Sequence, residues 1–298
     1  MRRYFRAIVA PLAIAACTAG DRTSSPGASG RARATDSSVA AAAVPVAPLA
    51  DSAFPNTPMG AAARRGRAIL IATRDSLPGY VGNGLRCTSC HLDEGRRPYA
   101  IPWLGVHARY PQYRSRAARV LTIEDRINEC LERSLAGKAL PPDDDRMRAI
   151  EAYFTFVSAG ASVGRPTPGQ GIDSVHAANP DTAAGKKVFA ENCARCHGIN
   201  GDGQGDHTTP ATPVWGTKSF TIGAGMGRFL TAAAFIHRNM PFDKPGTLTE
   251  QQALDVAAFM DSRARPDFAG KERDWPKGGR PADTPYRTTD VPAGAARR

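Results

Sequence analysis

Cys87-Thr88-Ser89-Cys90-His91 and Cys193-Ala194-Arg195-Cys196-His197 decide how this chain folds. Each stretch sets two thiols either side of a two-residue spacer and follows them at once with an imidazole. That spacing lets both sulfurs reach the vinyl groups of one porphyrin while the histidine lies under its iron, the attachment pattern of c-type haem. One such unit could equally be a zinc knuckle or a redox pair. Two copies in repeated surroundings point to two covalent haems, one on Cys87, Cys90 and His91 and one on Cys193, Cys196 and His197. After the second motif, Gly198-Ile199-Asn200-Gly201-Asp202-Gly203 is the glycine-rich turn expected where backbone passes close to a haem edge.

Outward from the motifs, the two halves share a plan. A helix built around a glycine precedes each motif, Gly66-Arg67-Ala68-Ile69-Leu70 in one half and Gly185-Lys186-Lys187-Val188-Phe189 in the other. An amphipathic helix closes each. Asp143 to Asp145 can cap the first, which carries Met147, Ile150, Phe154 and Val157 on one face and stops at Gly160. Thr249 and Gln252 form a capping box for the second, with Ala253, Val256, Ala257 and Met260 at i, i+3, i+4 and i+7 and Pro266 ending it. The expectation is an all-α protein with two tandem cytochrome c-like domains, over residues 56–162 and 182–265.

The flanks have a different composition. Arg2, Arg3 and Arg6 precede a short apolar run, the form of an export signal over residues 1–17, and that run is too short to span a bilayer. Ile14-Ala15-Ala16-Cys17 resembles a bacterial lipobox, which would leave a lipidated Cys17 as an outer-membrane anchor. Residues 18–55 read as a disordered tether, 163–181 as a linker, and 266–298 as a polar tail draped on a domain or disordered. The formal charge of +11 is scattered arginine with no basic run, which argues against nucleic acid and suits a small anionic substrate.

Six cysteines are present; four belong to the haem motifs and one to the leader, so Cys130 alone is unexplained. Each iron needs a sixth ligand. In the second half Met226, His237 and Met240 are candidates; Met240, 43 residues after His197 and followed by Pro241, is preferred. Thioether ligation raises haem potential. In the first half no methionine holds the matching place. Cys130 does, 39 residues after His91. A buried inert thiol is the ordinary reading of a solitary cysteine; an anionic thiolate on iron would instead give a low-potential site. Thr122 to Asp125 is a capping box opening a helix through about Leu135, on which Arg126, Cys130 and Ser134 fall at i, i+4 and i+8. Arg114, Arg116, Arg119, Arg133 and Lys138 are near in sequence. Arginine's planar fork pairs with two oxygens at once, so a sulfur at a haem among arginines suits a sulfur oxyanion. The competing use of these arginines is pairing with Glu124, Asp125, Glu129 and Glu132 or with haem propionates.

The stretches Asn83–Leu92, Pro102–Val106, Tyr110–Arg116 and Glu124–Ser134 resemble the dihaem thiosulfate dehydrogenases, whose first domain is related to the haem subunit of the Sox complex. The resemblance runs from about Gly60 to Pro266. It implies coupling of two thiosulfates to tetrathionate, reversible in some members, with His91 and Cys130 on the catalytic iron and Arg116, Arg126 and Ser134 near the site. It implies an electron-exit haem on His197, with Met or a neighbouring Lys as the family's sixth ligand; here Asn239 precedes Met240. A soluble cytochrome c or high-potential iron–sulfur protein would accept the electrons. The rival expectation is a lipid-tethered dihaem carrier with no substrate of its own, which leaves Cys130 and the arginines without a role. A Sox-type conjugating subunit or a dihaem peroxidase fits less well, given the second haem unit and the ligand offered to each iron.

Overall fold

The computed structural model describes residues 45–177, 179–203 and 211–289; the signal segment and Cys17 lie outside the described residues. In the first half, helix α1 (Pro58–Ile71) starts where the Thr57 hydroxyl accepts from Gly60 N and Pro58 takes the first helical position, where a missing N–H costs nothing. Helix α3 (Asp145–Val157) starts at Asp144, whose carboxylate accepts from Arg146 N. The two cross at Gly66: a Cβ there would lie 1.9 Å from the carbonyl oxygen of Ala149. The helix before the second motif repeats the device. Helix α4 (Thr182–Asn192) crosses helix α6 (Glu250–Asp261) at Gly185, where a Cβ would lie 2.0 Å from Asp255 O. The two glycines noted in sequence are therefore the points of closest helix approach.

The closing helices bury the faces their periodicity marks. Met147, Ile150 and Phe154 are buried in α3, and Ala253, Val256, Ala257 and Met260 in α6, with both halves of the Thr249/Gln252 capping box formed. Between the motif and α6, helix α5 (Phe229–Asn239) carries Met240 at its end. Helix α2 (Ile123–Glu129) opens on the expected Thr122/Asp125 box. It does not run on as an α-helix to Leu135: Cys130–Ser134 is a π-helical turn, closed by Leu135 N donating to Cys130 O. A wider turn advances fewer degrees per residue, so Ser134 does not repeat the face of Cys130 as i+4 spacing implies. Ahead of α2 stands a small antiparallel hairpin, β1 (Gln112–Arg114) with β2 (Arg119–Leu121), pairing Gln112 with Leu121 and leaving Tyr113 and Val120 exposed.

The end of the expected tether is packed, and of the two alternatives for the tail the draped one is seen. Val46 N donates to Asp93 Oδ2 (2.7 Å), Leu49 N to Glu94 Oε2 (3.2 Å), and the buried Phe54 stacks on Phe156 at 4.6 Å. Residues 45–55 thus lie along the first domain rather than in the tether. The tail is draped: Phe268, Trp275 and Tyr286 sit against other parts of the chain. The two halves also meet directly. Leu92 and Ala100 pack with Phe235, Met226 and Met240, and Asn83 Nδ2 donates to both Ser134 O and Ser219 O. Among the described residues no helix is long and apolar enough to cross a membrane.

Candidate functional site

In the first half, Cys87–Ser89 is a single 3-10 turn, started by Cys87 N donating to Thr73 Oγ1 (3.0 Å). His91 Nδ1 is hydrogen-bonded to Ile101 O at 2.5 Å, which assigns the proton to Nδ1 and leaves the Nε2 lone pair for a metal. Its ring stacks on Trp103, centroids 4.7 Å apart, and Trp103 is wedged against Tyr153 and Phe154 of α3. Burial drives the His91 pKa down to about 4, keeping the imidazole neutral, and pushes the Cys87 and Cys90 thiols up to about 12. Desolvated thiols beside a neutral, pre-oriented imidazole fit covalent haem.

Cys130 lies close enough to this group to contribute to the raised pKa of both Cys87 and Cys90. Arg126 acts on His91 and in turn has its pKa raised, first by Cys130 and then, against desolvation, by Glu129. Tyr110, whose hydroxyl is held protonated by burial, feels both Arg126 and Cys130. Cys130, Arg126 and Tyr110 therefore lie near one another and near the first haem motif. The π-turn begins at Cys130, and such turns recur at functional sites because they re-aim one side chain out of an otherwise regular helix.

The arginines divide into spent and available. Arg119 is paired with Asp125 at 3.0 Å. Arg133 makes a two-pronged pair with Asp274 (2.8 and 2.7 Å). Arg126 reaches Glu129 with Nη1 at 3.3 Å and stays 34% exposed. Arg116 donates from Nη1 to Gly223 O at 2.9 Å and stacks over Trp275; among the described residues no acceptor takes its Nη2. Ser134 is anchored through its carbonyl, and among the described residues its hydroxyl has no hydrogen-bond partner. Among the described residues Arg126, Arg116 and Ser134 thus keep donors without partners, while both terminal nitrogens of Arg133 are engaged. Glu129, named in the sequence as a competing partner of these arginines, sits among Arg126, Arg116 and Arg133; sequence reasoning missed the tail residues Asp274 and Trp275.

In the second half, His197 Nδ1 is bonded to Thr212 O at 2.7 Å, again freeing Nε2. Burial lowers its pKa. A mainly apolar cavity opens beside it, lined by Cys193, Cys196, Phe189, Ile236 and Met260, a slot suited to a porphyrin. Met240 and Met226 line this cavity; His237 does not, its buried ring turned to Leu248 O at 3.1 Å. Gly201 makes room at the edge, since a Cβ there would strike Trp215 at 2.2 Å and its φ is +64°. Leu85, Ser89, Cys90 and Leu92 of the first half complete the wall, so the two haem positions share a boundary.

Two helical domains, each with paired thiols and a neutral, backbone-held histidine at one edge, define a dihaem c-type cytochrome with two covalent haems. Residues 81–163 match the family described as SoxA/TsdA, cytochrome c domain, and residues 182–264 match Cytochrome c. The thiosulfate dehydrogenase of Psychrobacter arcticus is 44% identical over 238 residues, 78% of this chain and 72% of the relative. That of Allochromatium vinosum is 38% identical over 246 residues, 80% and 89% of the two chains. The solved structure of the thiosulfate dehydrogenase TsdBA from Marichromatium purpuratum superposes with a TM-score of 0.70 at 33% identity, over 76% of this chain and about half (51%) of that one. The chain belongs to the thiosulfate dehydrogenase family.

Proposed function

We propose that the protein oxidises two thiosulfates to one tetrathionate at the first haem and passes the two electrons out through the second. The observation that carries the reading is Cys130: a solitary sulfur at the start of a π-turn, near Cys87 and Cys90 and beside an arginine held charged. Cys130 and His91 would hold the first iron, and Met240 and His197 the second.

Each haem, when bound, supplies a one-electron acceptor, so two adjacent haems can store the pair that one coupling releases. The rest falls to the chain. Two thiosulfate dianions repel in water, and Arg126 and Arg116 offset that charge while Tyr110 adds a hydroxyl donor. The Cys130 thiolate forms a sulfur–sulfur bond to the sulfane end of the first thiosulfate, with loss of two electrons, giving Cys–S–S–SO₃⁻. The second thiosulfate attacks the sulfane sulfur of that adduct, releases tetrathionate and regenerates the thiolate. Cys90 and Ser89 line the second cavity, which supports a short path between the two centres. On this reading the protein works outside the cytoplasmic membrane, anchored by lipid on Cys17, and delivers electrons to a soluble cytochrome c or a high-potential iron–sulfur protein.

The experiment is thiosulfate-dependent ferricyanide reduction by the dihaem protein and by Cys130→Ala. Loss of at least about a thousandfold in kcat is expected for removal of a nucleophile. Turnover near the parent rate in the variant would sink the mechanism, and no turnover in the parent would leave an electron carrier.

A further inference from the structure

Residues 266–289 lie outside both family matches, yet they run from the second domain onto the arginines of the first. Asp274 is the hub. It is buried, and its carboxylate accepts both prongs of Arg133 and the hydroxyl of Tyr286 at 2.7 Å, and forms a longer ion pair with the Nε of Arg116 across 4.0 Å. Trp275 follows. Its backbone N donates to Arg116 O at 2.8 Å and its ring lies under the Arg116 guanidinium at 4.8 Å. Trp275 itself sits at φ +53°, a left-handed conformation that is costly for a bulky residue and persists where surroundings impose it.

The strap is fastened at its other contacts too. Phe268 packs on Gly223, where a Cβ would come within 2.7 Å of its ring, and its face carries the Arg133 guanidinium at 4.3 Å. Gly223 O accepts from Arg116 Nη1 and from Arg133 Nη1. Arg133 O accepts from Thr221 N and Oγ1. Arg116 is therefore held by backbone, ring and carboxylate on three sides, with Nη2 left without an acceptor among the described residues, whereas both terminal nitrogens of Arg133 are engaged. Arg133 has the role of a clasp and Arg116 that of a held donor. An isolated arginine loses rotamer freedom when it binds an anion; one already clamped has lost that freedom on folding, so it binds more tightly for the same contacts.

We propose that this C-terminal strap is the positioning element of the oxyanion site: Asp274 and Trp275 fix Arg116 with its free Nη2 turned to the anionic substrate. Resting on the thiosulfate reading above, it assigns positioning roles to residues that touch neither haem motif. Asp274→Asn, Trp275→Ala and Trp275→Phe, made in the dihaem protein, test it. Thiosulfate KM and kcat are read with ferricyanide, thiosulfate Kd by calorimetry on the fully reduced protein, in which no electron acceptor remains for turnover, and Tm in parallel. Asp274→Asn and Trp275→Ala are expected to raise KM and Kd about tenfold with kcat within about twofold, and Trp275→Phe, which keeps an aromatic face, to recover most of the loss. A merely structural strap would lower Tm and leave KM and Kd unchanged, and that result overturns the proposal. If Asp274→Asn fails to accumulate, Tyr286→Phe strips one hydrogen bond from the same carboxylate and is expected to raise KM by about two- to threefold; no change would again overturn it. An active parent with unaffected variants removes the strap alone, whereas a parent that turns over no thiosulfate removes the substrate reading and the strap's role with it.

Discussion

Gly66→Ala tests the physical basis of the first domain. The added methyl would sit 1.9 Å from Ala149 O and 3.0 Å from the Cβ of Tyr153, where ordinary contact begins near 3.4 Å. Helices α1 and α3 must part by about 1.5 Å, because the obstructing atom is backbone and cannot swing away. A gap of that size forfeits more than half of the dispersion energy between facing atoms, and overpacking of this kind costs about 3–4 kcal/mol. Alanine's better helix propensity returns about 1 kcal/mol, leaving a net loss of about 2–3 kcal/mol. That is a large part of the ~5–15 kcal/mol that holds a domain. The disturbance reaches the haem, because Tyr153 on α3 donates its hydroxyl to Glu94 O and packs edge-on to Trp103, on which His91 stacks. Guanidinium unfolding followed in parallel by far-UV dichroism and the Soret band reads both effects. Gly225→Ala is the control, since a Cβ there meets open space, and it should fall within about 0.5 kcal/mol of the parent. If Gly66→Ala matches that control, the close crossing is not what sets the domain's architecture.

Two further outcomes follow from the same structure. The Glu151 carboxyl is pushed up to about 7, first by desolvation and then by Glu124, whose own pKa is lowered by Thr122. A raised carboxyl favours the fold in its protonated form, so its contribution is full below about pH 4.5 and is lost as pH rises towards 7. Screening at this half-exposed site reduces the effect to on the order of 1 kcal/mol, and Glu151→Gln should remove about that much of the fall in unfolding free energy between about pH 4.5 and 7; an unchanged profile would refute the pairing. At the second haem, Met240→Ala should abolish the charge-transfer band of Met-ligated ferric haem and lower the potential, while His237→Ala leaves the band in place; the reverse pattern would transfer the ligand role to His237.

What could be read from sequence was local. Both haem motifs, the Thr122/Asp125 and Thr249/Gln252 boxes, and the buried faces of α3 and α6 depend on residues within a turn or two of one another, and such patterns survive in the linear text. The glycines at 66 and 185 were visible as a repeat, but only the crossing of helices distant in sequence explains them. The π-turn at Cys130–Ser134 was not visible, because an added residue in a helical turn leaves the apolar spacing nearly intact. The docking of residues 45–55 was hidden by composition, which is rich in Pro and Ala and reads as a tether, and the composition of 266–289 left draped and disordered both open. Few aromatic anchors fasten them, Phe54 in one and Phe268, Trp275 and Tyr286 in the other. Isolated aromatics in such stretches were the signal available. The split between Arg133, consumed by Asp274, and Arg116, left with a free Nη2, depends on contacts more than 100 residues apart and could come only from three dimensions.

Low-temperature EPR of the fully oxidised protein, set beside Cys130→Ala, probes the sulfur–iron bond itself. The account requires two distinct low-spin ferric signals in the parent, one with the narrow g-spread of thiolate ligation, and disappearance of that one alone in the variant. A parent spectrum without a thiolate-type signal, unaltered when Cys130 is removed, would contradict it.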